Sequence, residues 1–354
     1  MLDSVVEARI HAAMNFEEGD RVPIWDYIDN RAIVEHLAPG IEEYGAAMVQ
    51  VYHELEIDLC RGYGASYAQS DDGQARADAE GGVSHRISGQ TCWKVRNEIQ
   101  SIEDLIAYDC PDPPDEEETA RWLDDQVRLQ KAFEPYTMFV PGGACGFHVT
   151  YDLMGLGLFS IAIHDARDAV EKLLSAMGRR FAAFARIAAE RRLCPLYFIG
   201  DDIAYKGRLM FSPQFLRETF IPMLRRCCEP LRNAGIKVIF HSDGYLMDII
   251  DDMIEAGISG LNPIEPAAGM DIGLLKKRYG NNLILVGNID CSQVLPLGSV
   301  EEVVSATKEC IRQASPGGGH FIGSSSEVTP STPVENIIAF YRTAREFGTY
   351  PILI

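Results

Sequence analysis

Eight short apolar runs, most followed by a helix-like stretch, predict an α/β chain closed into a (β/α)8 TIM barrel. Three observations carry this. The runs recur along all 354 residues with amphipathic stretches between them. Nearly every run ends in polar side chains, as the C-terminal mouth of a barrel requires. No G-x-G-x-x-G follows the first run, which weakens an open dinucleotide-binding sheet as the competitor.

The strands are expected at 22–25, 55–59, 137–140, 196–199, 238–240, 260–261, 283–286 and 321–322. An N-terminal helical segment precedes them, and one domain over 1–354 is expected. A β-hairpin insertion is expected where 83–87 and 91–95 flank the turn 88–90. The acidic, proline-bearing stretch 109–118 reads as a loop leading into a helix, because prolines break structure and carboxylates favour a helix start. The clearest helix is predicted over 212–234. Ser212 caps it, Pro213 suits its first turn and Gly235 ends it, while Leu216, Phe220, Met223 and Leu224 recur at helical spacing.

Composition narrows the function. The chain is 47% hydrophobic, enough for a sizeable core. Its apolar runs are far short of a membrane span. Its first residues, Met1-Leu2-Asp3-Ser4, do not read as a signal peptide. With 52 acidic and 32 basic side chains the formal charge is -20. That disfavours nucleic acid and anionic membranes as partners, yet leaves room for a small anion in a local basic pocket. Nine cysteines without a C-x-x-C pair suggest reduced thiols and a cytoplasmic chain.

The strongest local signal is Val238-Ile239-Phe240-His241-Ser242-Asp243-Gly244. Residues two apart in an extended segment face one side, so His241 and Asp243 start roughly 6.6 Å apart at ~3.3 Å per residue. They suit two ligands of a divalent metal, or an acid/base and its partner. The plainer reading is a hydrogen-bonded barrel histidine followed by a helix-capping aspartate. A zinc site needs a third ligand, with Glu327, Cys145 and Asp202 as candidates. Of Asp201 and Asp202, one is expected to face the mouth and the other to cap a loop or pair with Lys206. A carboxylate buried near another holds its proton more tightly and suits a general acid.

Other strand ends add Asp26 and Tyr27, Arg61 and Tyr63, Asn262 and Glu265, Asn288 and Asp290, and Ser324 to Ser326. Trp25, Tyr27, Tyr63, Tyr67 and Tyr205 are either aromatic walls for a flat substrate or ordinary core and rim aromatics. The glycine- and serine-rich stretch 316–326 is a candidate anion loop, although it lacks the G-x-x-x-x-G-K signature. His320 precedes its strand and reads as structural. Cys145 and His148 read as pocket-lining rather than as a nucleophile and its base.

The segments Gly200-Asp201-Asp202, Phe211-Ser212-Pro213, Phe240-His241-Ser242-Asp243-Gly244, Leu261-Asn262-Pro263-Ile264-Glu265, Gly287-Asn288-Ile289-Asp290 and Thr332-Pro333-Val334-Glu335-Asn336 occur in that order. Together they resemble the uroporphyrinogen decarboxylase superfamily. The resemblance implies a (β/α)8 barrel and one of two activities: decarboxylation of uroporphyrinogen, or methyl transfer to or from corrinoid proteins. The decarboxylase has an arginine-rich loop after its first strand. Here Trp25 matches, but the arginines expected beyond it are missing near Tyr27 and Ile28. A substrate with eight carboxylates needs such cationic clamps. The zinc-dependent methyltransferases use a His-x-Cys pair and a later cysteine. His241 matches the histidine, Asp243 stands at the first cysteine, and the second falls near Ser326, next to Glu327.

The resemblance therefore implies a methyltransferase that moves a methyl group from a small methoxylated or methylated compound to the cobalt of a corrinoid on a partner protein. His241, Asp243 and Asp202 would be catalytic. Asp26, Tyr27, Asp201, Tyr205, Asn262, Asn288 and Ser326 would hold the substrate. A divalent metal such as zinc would sit on His241, Asp243 and Glu327, and the chain would form a homodimer. A decarboxylase of a smaller acid or a porphyrinogen, and a non-catalytic binding barrel, are the alternatives.

Overall fold

In the computed structural model, which describes residues 1–63, 75–77, 83–86 and 92–354, eight strands pair in a circle. They are β1 (24–25), β2 (Leu59–Cys60), β3 (Met138–Phe139, continued by Gly142–Gly143), β4 (Leu196–Gly200), β5 (Lys237–His241), β6 (Gly260–Asn262), β7 (Ile284–Val286) and β8 (His320–Phe321). Neighbours from β2 round to β8 pair in parallel. The ring closes through β1. Ile24 bridges Ile322 and Trp25 bridges Leu59, with hydrogen bonds from the Trp25 N–H to the Ile322 carbonyl (2.9 Å) and from the Leu59 N–H to the Ile24 carbonyl (3.0 Å). Closure leaves the barrel itself without an edge strand among the described residues.

Two elements differ from expectation. The second strand begins at Leu59, not at residue 55. Leu55 ends the helix Tyr44–Glu54, and Glu56 turns the chain at a φ of 53°. Leu55 and Ile57 are apolar because they pack in the core, not because they pair. The helix predicted over 212–234 is two helices, Pro213–Glu218 and Phe220–Asn233, parted at Thr219. Pro222 has no N–H for the carbonyl four residues back, and its ring crowds that carbonyl. Both ends lie where expected: the Ser212 hydroxyl accepts the Phe215 N–H, and Gly235 turns away at a φ of 79°.

The insertion between β2 and β3 is a three-stranded antiparallel sheet. Val83–Arg86 and Cys92–Arg96 form the expected hairpin, and Ala75–Ala77 adds a third strand. Its predicted turn at 88–90 lies outside the described residues. The helix Glu116–Phe133 starts as predicted, with the Asp115 carboxylate taking the Glu118 N–H and three glutamates in the first turn.

The N-terminal helix Ser4–Met14 plugs the bottom of the barrel. Its Val6, Ile10 and Met14 join Trp25, Ile239 and Ile284 in one inner core. Arg9 on that helix meets Asp58, just ahead of β2, at 2.5 Å, and Arg21, ahead of β1, meets the same carboxylate at 2.8 Å. This buried ion cluster closes the N-terminal face and leaves the C-terminal mouth for chemistry. Among the described residues no helix is long and apolar enough to cross a membrane. Cys60, Cys110, Cys145, Cys194, Cys227, Cys228, Cys291 and Cys310 are free thiols.

Candidate active site

The apolar side chains of β5 bury its middle and carry His241 to its C-terminal end. Register then supplies the neighbours: His241 pairs with Asn262 on β6 and with Gly200 on β4. The Asn262 amide nitrogen donates to the Val286 carbonyl (3.4 Å), which turns Oδ1 toward the imidazole. His241 Nδ1–H donates to that oxygen at 2.6 Å. Nε2 therefore presents a lone pair. Asp243 Oδ1 lies 4.0 Å from it. Asp202, just beyond β4, accepts the Asp243 backbone N–H at 3.0 Å. One donor atom each from Asp202, His241 and Asp243 fall within 4.8 Å of one another.

Gly244 makes the turn beyond this cluster possible. Its φ is 95°, and a Cβ there would lie 2.5 Å from the backbone of Ala204 and Tyr205. Its N–H donates to Glu265 at 2.9 Å, bringing a further carboxylate to the rim.

Burial and then the Arg61 charge push the His241 pKa down, so the ring is neutral near pH 7. Burial, then Asp202 and Glu265, push Asp243 up to about 7. Asp243 Oδ1 is shut off from solvent and has no hydrogen-bond partner among the described residues. An orphaned buried oxygen beside a bare imidazole nitrogen calls for a proton or a cation. One imidazole and two carboxylates form a donor set that fits a divalent metal of the zinc type, with coordination positions left for a ligand.

Glu327, the expected third ligand, sits on the same rim. Burial raises its pKa, and Arg61, Asp243 and His241 all act on it. It stands outside the compact three-donor cluster, where Asp202 takes the third place. Tyr27 faces the same mouth, under Arg61. Ser326 precedes Glu327 on the loop after β8. Asn262 holds His241, while the Asn288 amide donates to the Ile264 carbonyl (3.2 Å) and stitches two strand ends together.

The structure does not bring the other expected residues into the mouth. Asp26 is buried and accepts from the Ser324 N–H and hydroxyl, the Tyr341 hydroxyl and the Tyr27 N–H. Asp201 is buried too. Its carboxylate takes the N–H groups of Cys145, Gly146 and His148, where the helix Phe147–Asp152 begins. It is the capping member of the aspartate pair. Tyr205 lies 61% exposed on a small surface hairpin. Tyr63 packs on Tyr44 and Phe133, and Tyr67 lies outside the described residues.

Cys145 is buried with its thiol pKa pushed well up, and His148 pairs with Asp152 at 2.8 Å, so the two do not form a nucleophile and base. The stretch 316–326 offers no open anion loop either. The Gly317 N–H goes to Glu18 and the Ser324 N–H to Asp26. His320 is structural: Nε2–H donates to the Gly287 carbonyl (2.8 Å), and Nδ1 accepts from the Ser315 hydroxyl (2.9 Å).

Arg61 is a strand end whose role the sequence leaves unassigned. Its guanidinium stands 4.3 Å over the Tyr27 ring and 5.2 Å over Phe198. The Phe198 ring in turn lies 5.4 Å from the His241 ring. The available signal was its position, directly after the apolar end of β2.

Fold and site together define a (β/α)8 barrel with an acid-rich histidine site at its C-terminal mouth. The chain belongs to the uroporphyrinogen decarboxylase (URO-D) family, whose model matches residues 72–347. A methylated-thiol–coenzyme M methyltransferase of Methanosarcina mazei is 24% identical over 183 residues, 52% of this chain and 44% of that protein. A uroporphyrinogen decarboxylase of Trichodesmium erythraeum is 33% identical over 91 residues, 26% of this chain and 25% of that protein. The matched stretches thus span less than half the length of these relatives. Among solved structures, a methyltransferase from Methanosarcina mazei superposes with a TM-score of 0.70 at 20% identity, covering 97% of this chain and 98% of the other. A B12-independent methionine synthase from Shewanella gives 0.50 at 12% identity, covering 92% and 98%. These likenesses show the shared fold.

Proposed function

We propose that this chain is a cytoplasmic methyltransferase that takes a methyl group from a small methoxylated or methylated compound. The acceptor is the cobalt of a corrinoid carried by a separate protein. The reading takes 1–354 as one barrel domain that works as a homodimer. The observation that carries it is the pairing at the mouth of a neutral imidazole with a carboxyl group poised to hold a proton near neutrality.

In the transfer, reduced cobalt supplies an electron pair to the methyl carbon and the methyl–oxygen bond breaks. The departing oxygen then needs a proton. Asp243 delivers it, and crowding by Asp202 and Glu265 favours its return. His241, held in one tautomer by Asn262, presents its Nε2 lone pair as the acceptor for the hydroxyl formed once the leaving oxygen has taken that proton. A divalent cation on Asp202, His241 and Asp243 would instead supply Lewis-acid contact to that oxygen. Tyr27 and Phe198 wall the substrate, and the buried core beneath them keeps water away from the transfer.

The loop after β1 supports methyl transfer over uroporphyrinogen decarboxylation. Arg31 there pairs with Glu35 at 2.8 Å on an exposed helix, rather than lining the mouth as a carboxylate clamp. The test incubates the protein with a panel of methoxyarenes and a reduced corrinoid protein and follows methylcobalt absorbance. No signal across the panel sinks the proposal. Arg61 also suits decarboxylation of a small acid, which carbon dioxide release without any corrinoid would establish.

A further inference from the structure

Arg61 follows β2 and is half-buried at the mouth. It stacks on two rings, Tyr27 and Phe198. Stacking engages the flat face of a guanidinium, through its attraction to the ring quadrupole. It leaves the five in-plane N–H donors unused. Among the described residues, none of those donors makes a hydrogen bond or a close ion pair with a carboxylate. Arginines elsewhere in this acidic chain do find such partners: Arg9 with Asp20 and Asp58, Arg21 with Asp58, Arg217 with Asp252. Glu327 feels the Arg61 charge without a close contact to it, and a fixed cation that is partly desolvated, pre-oriented and without a hydrogen-bonded carboxylate is a ready receptor for a planar anion.

We infer that Arg61 is a specificity-determining residue that grips a carboxylate on the substrate, so the methyl donor is a flat aromatic acid rather than a neutral ether. This rests on the methyl-transfer reading of the same site. Geometry sets the size. The Phe198 ring is 5.2 Å from the guanidinium and 5.4 Å from the His241 imidazole, so the two groups stand no further apart than the sum of those distances. A donor reaching from Arg61 to His241 is therefore limited to about one substituted ring in length. Its carboxylate would lie on the in-plane donors of Arg61, its ring beside the stack that Arg61 makes with Tyr27 and Phe198, and its methyl-bearing oxygen near His241 and Asp243.

The experiment is calorimetric binding to the full chain with no corrinoid present. The probes are 4-methoxybenzoate and its neutral isostere 4-methoxybenzamide. The acid is expected to bind at least about tenfold more tightly, the worth of a charge-assisted pair. Arg61→Met should bring the two within about twofold of each other by weakening the acid alone, and Arg61→Lys should fall between. Equal binding of the two probes to the unaltered chain, no binding of the acid, or a preference that survives in Arg61→Met overturns the inference. The wild-type comparison stands even where a variant folds poorly. Methyl transfer is scored separately. Tight acid binding with no transfer to cobalt overturns the function and keeps the anchor. Transfer from neutral methoxyarenes at the same KM as from acids does the reverse.

Discussion

Asp243 illustrates how one carboxylate can be costly to the fold and useful to the site. Its Oδ1 is enclosed without a hydrogen-bond partner among the described residues, so the fold gains little from its charge. Asp243→Asn should leave stability unchanged or slightly raised, while lowering the rate of methyl transfer by about 10²–10⁴-fold, as loss of a general acid does. Denaturant titration and single-turnover rates check the two halves. A variant that keeps its rate removes Asp243 from the chemistry. Strand alternation alone made the His241–Asp243 pair legible, because positions two apart share a face. It said nothing of Asn262, which sits 21 positions on and meets the imidazole only through β5–β6 register. Nor did it separate Asp201 from Asp202. Adjacent strand-end carboxylates look alike until the chain decides which one meets a helix start.

At the scale of elements, that helix start is where Asp201 acts. It gathers backbone N–H groups from Cys145, Gly146 and His148 and ties the loop after β3 to the end of β4. Asp201→Ala should strip these acceptors from buried donors and cost about 2–4 kcal/mol. Urea unfolding measures it, and a loss under about 0.5 kcal/mol would show that water replaces the carboxylate without penalty. The boundaries follow the same logic. Ser212 and Gly235 mark helix ends through local hydrogen bonding and backbone freedom, so the sequence states them plainly. The break at Thr219 was legible too, through Pro222, but apolar periodicity across it masked the interruption. At 55–59 an apolar run belonged half to a helix end and half to a strand, and no periodicity separates the two over so few residues.

Across the whole molecule, His320 gives the fold a pH dependence. Burial holds its pKa at about 3, far below the usual 6.5. The folded ring stays neutral where the unfolded ring takes up a proton. Stability from this group is therefore complete above about pH 6.5 and is lost as pH falls toward about 3, by roughly 1.4 kcal/mol per pH unit. His320→Gln keeps a donor for the Gly287 carbonyl and does not titrate. The stability gap between the wild-type chain and this variant should shrink from pH 7 to pH 5 in urea melts. A gap that stays constant means that the folded ring is already charged.

The chain by itself determined the alternation of strands and helices, the polar strand ends and the histidine–aspartate pair. These are local consequences of side-chain period, capping and turn chemistry. Only the tertiary structure decided which polar ends face the mouth. Asp26 and Asp201 are drawn down as acceptors for buried donors, Asp202 moves up beside His241, and Arg61 swings over two rings from other strands. Such choices depend on register and on the cost of leaving a buried polar group unpaired, both set by residues far apart in sequence.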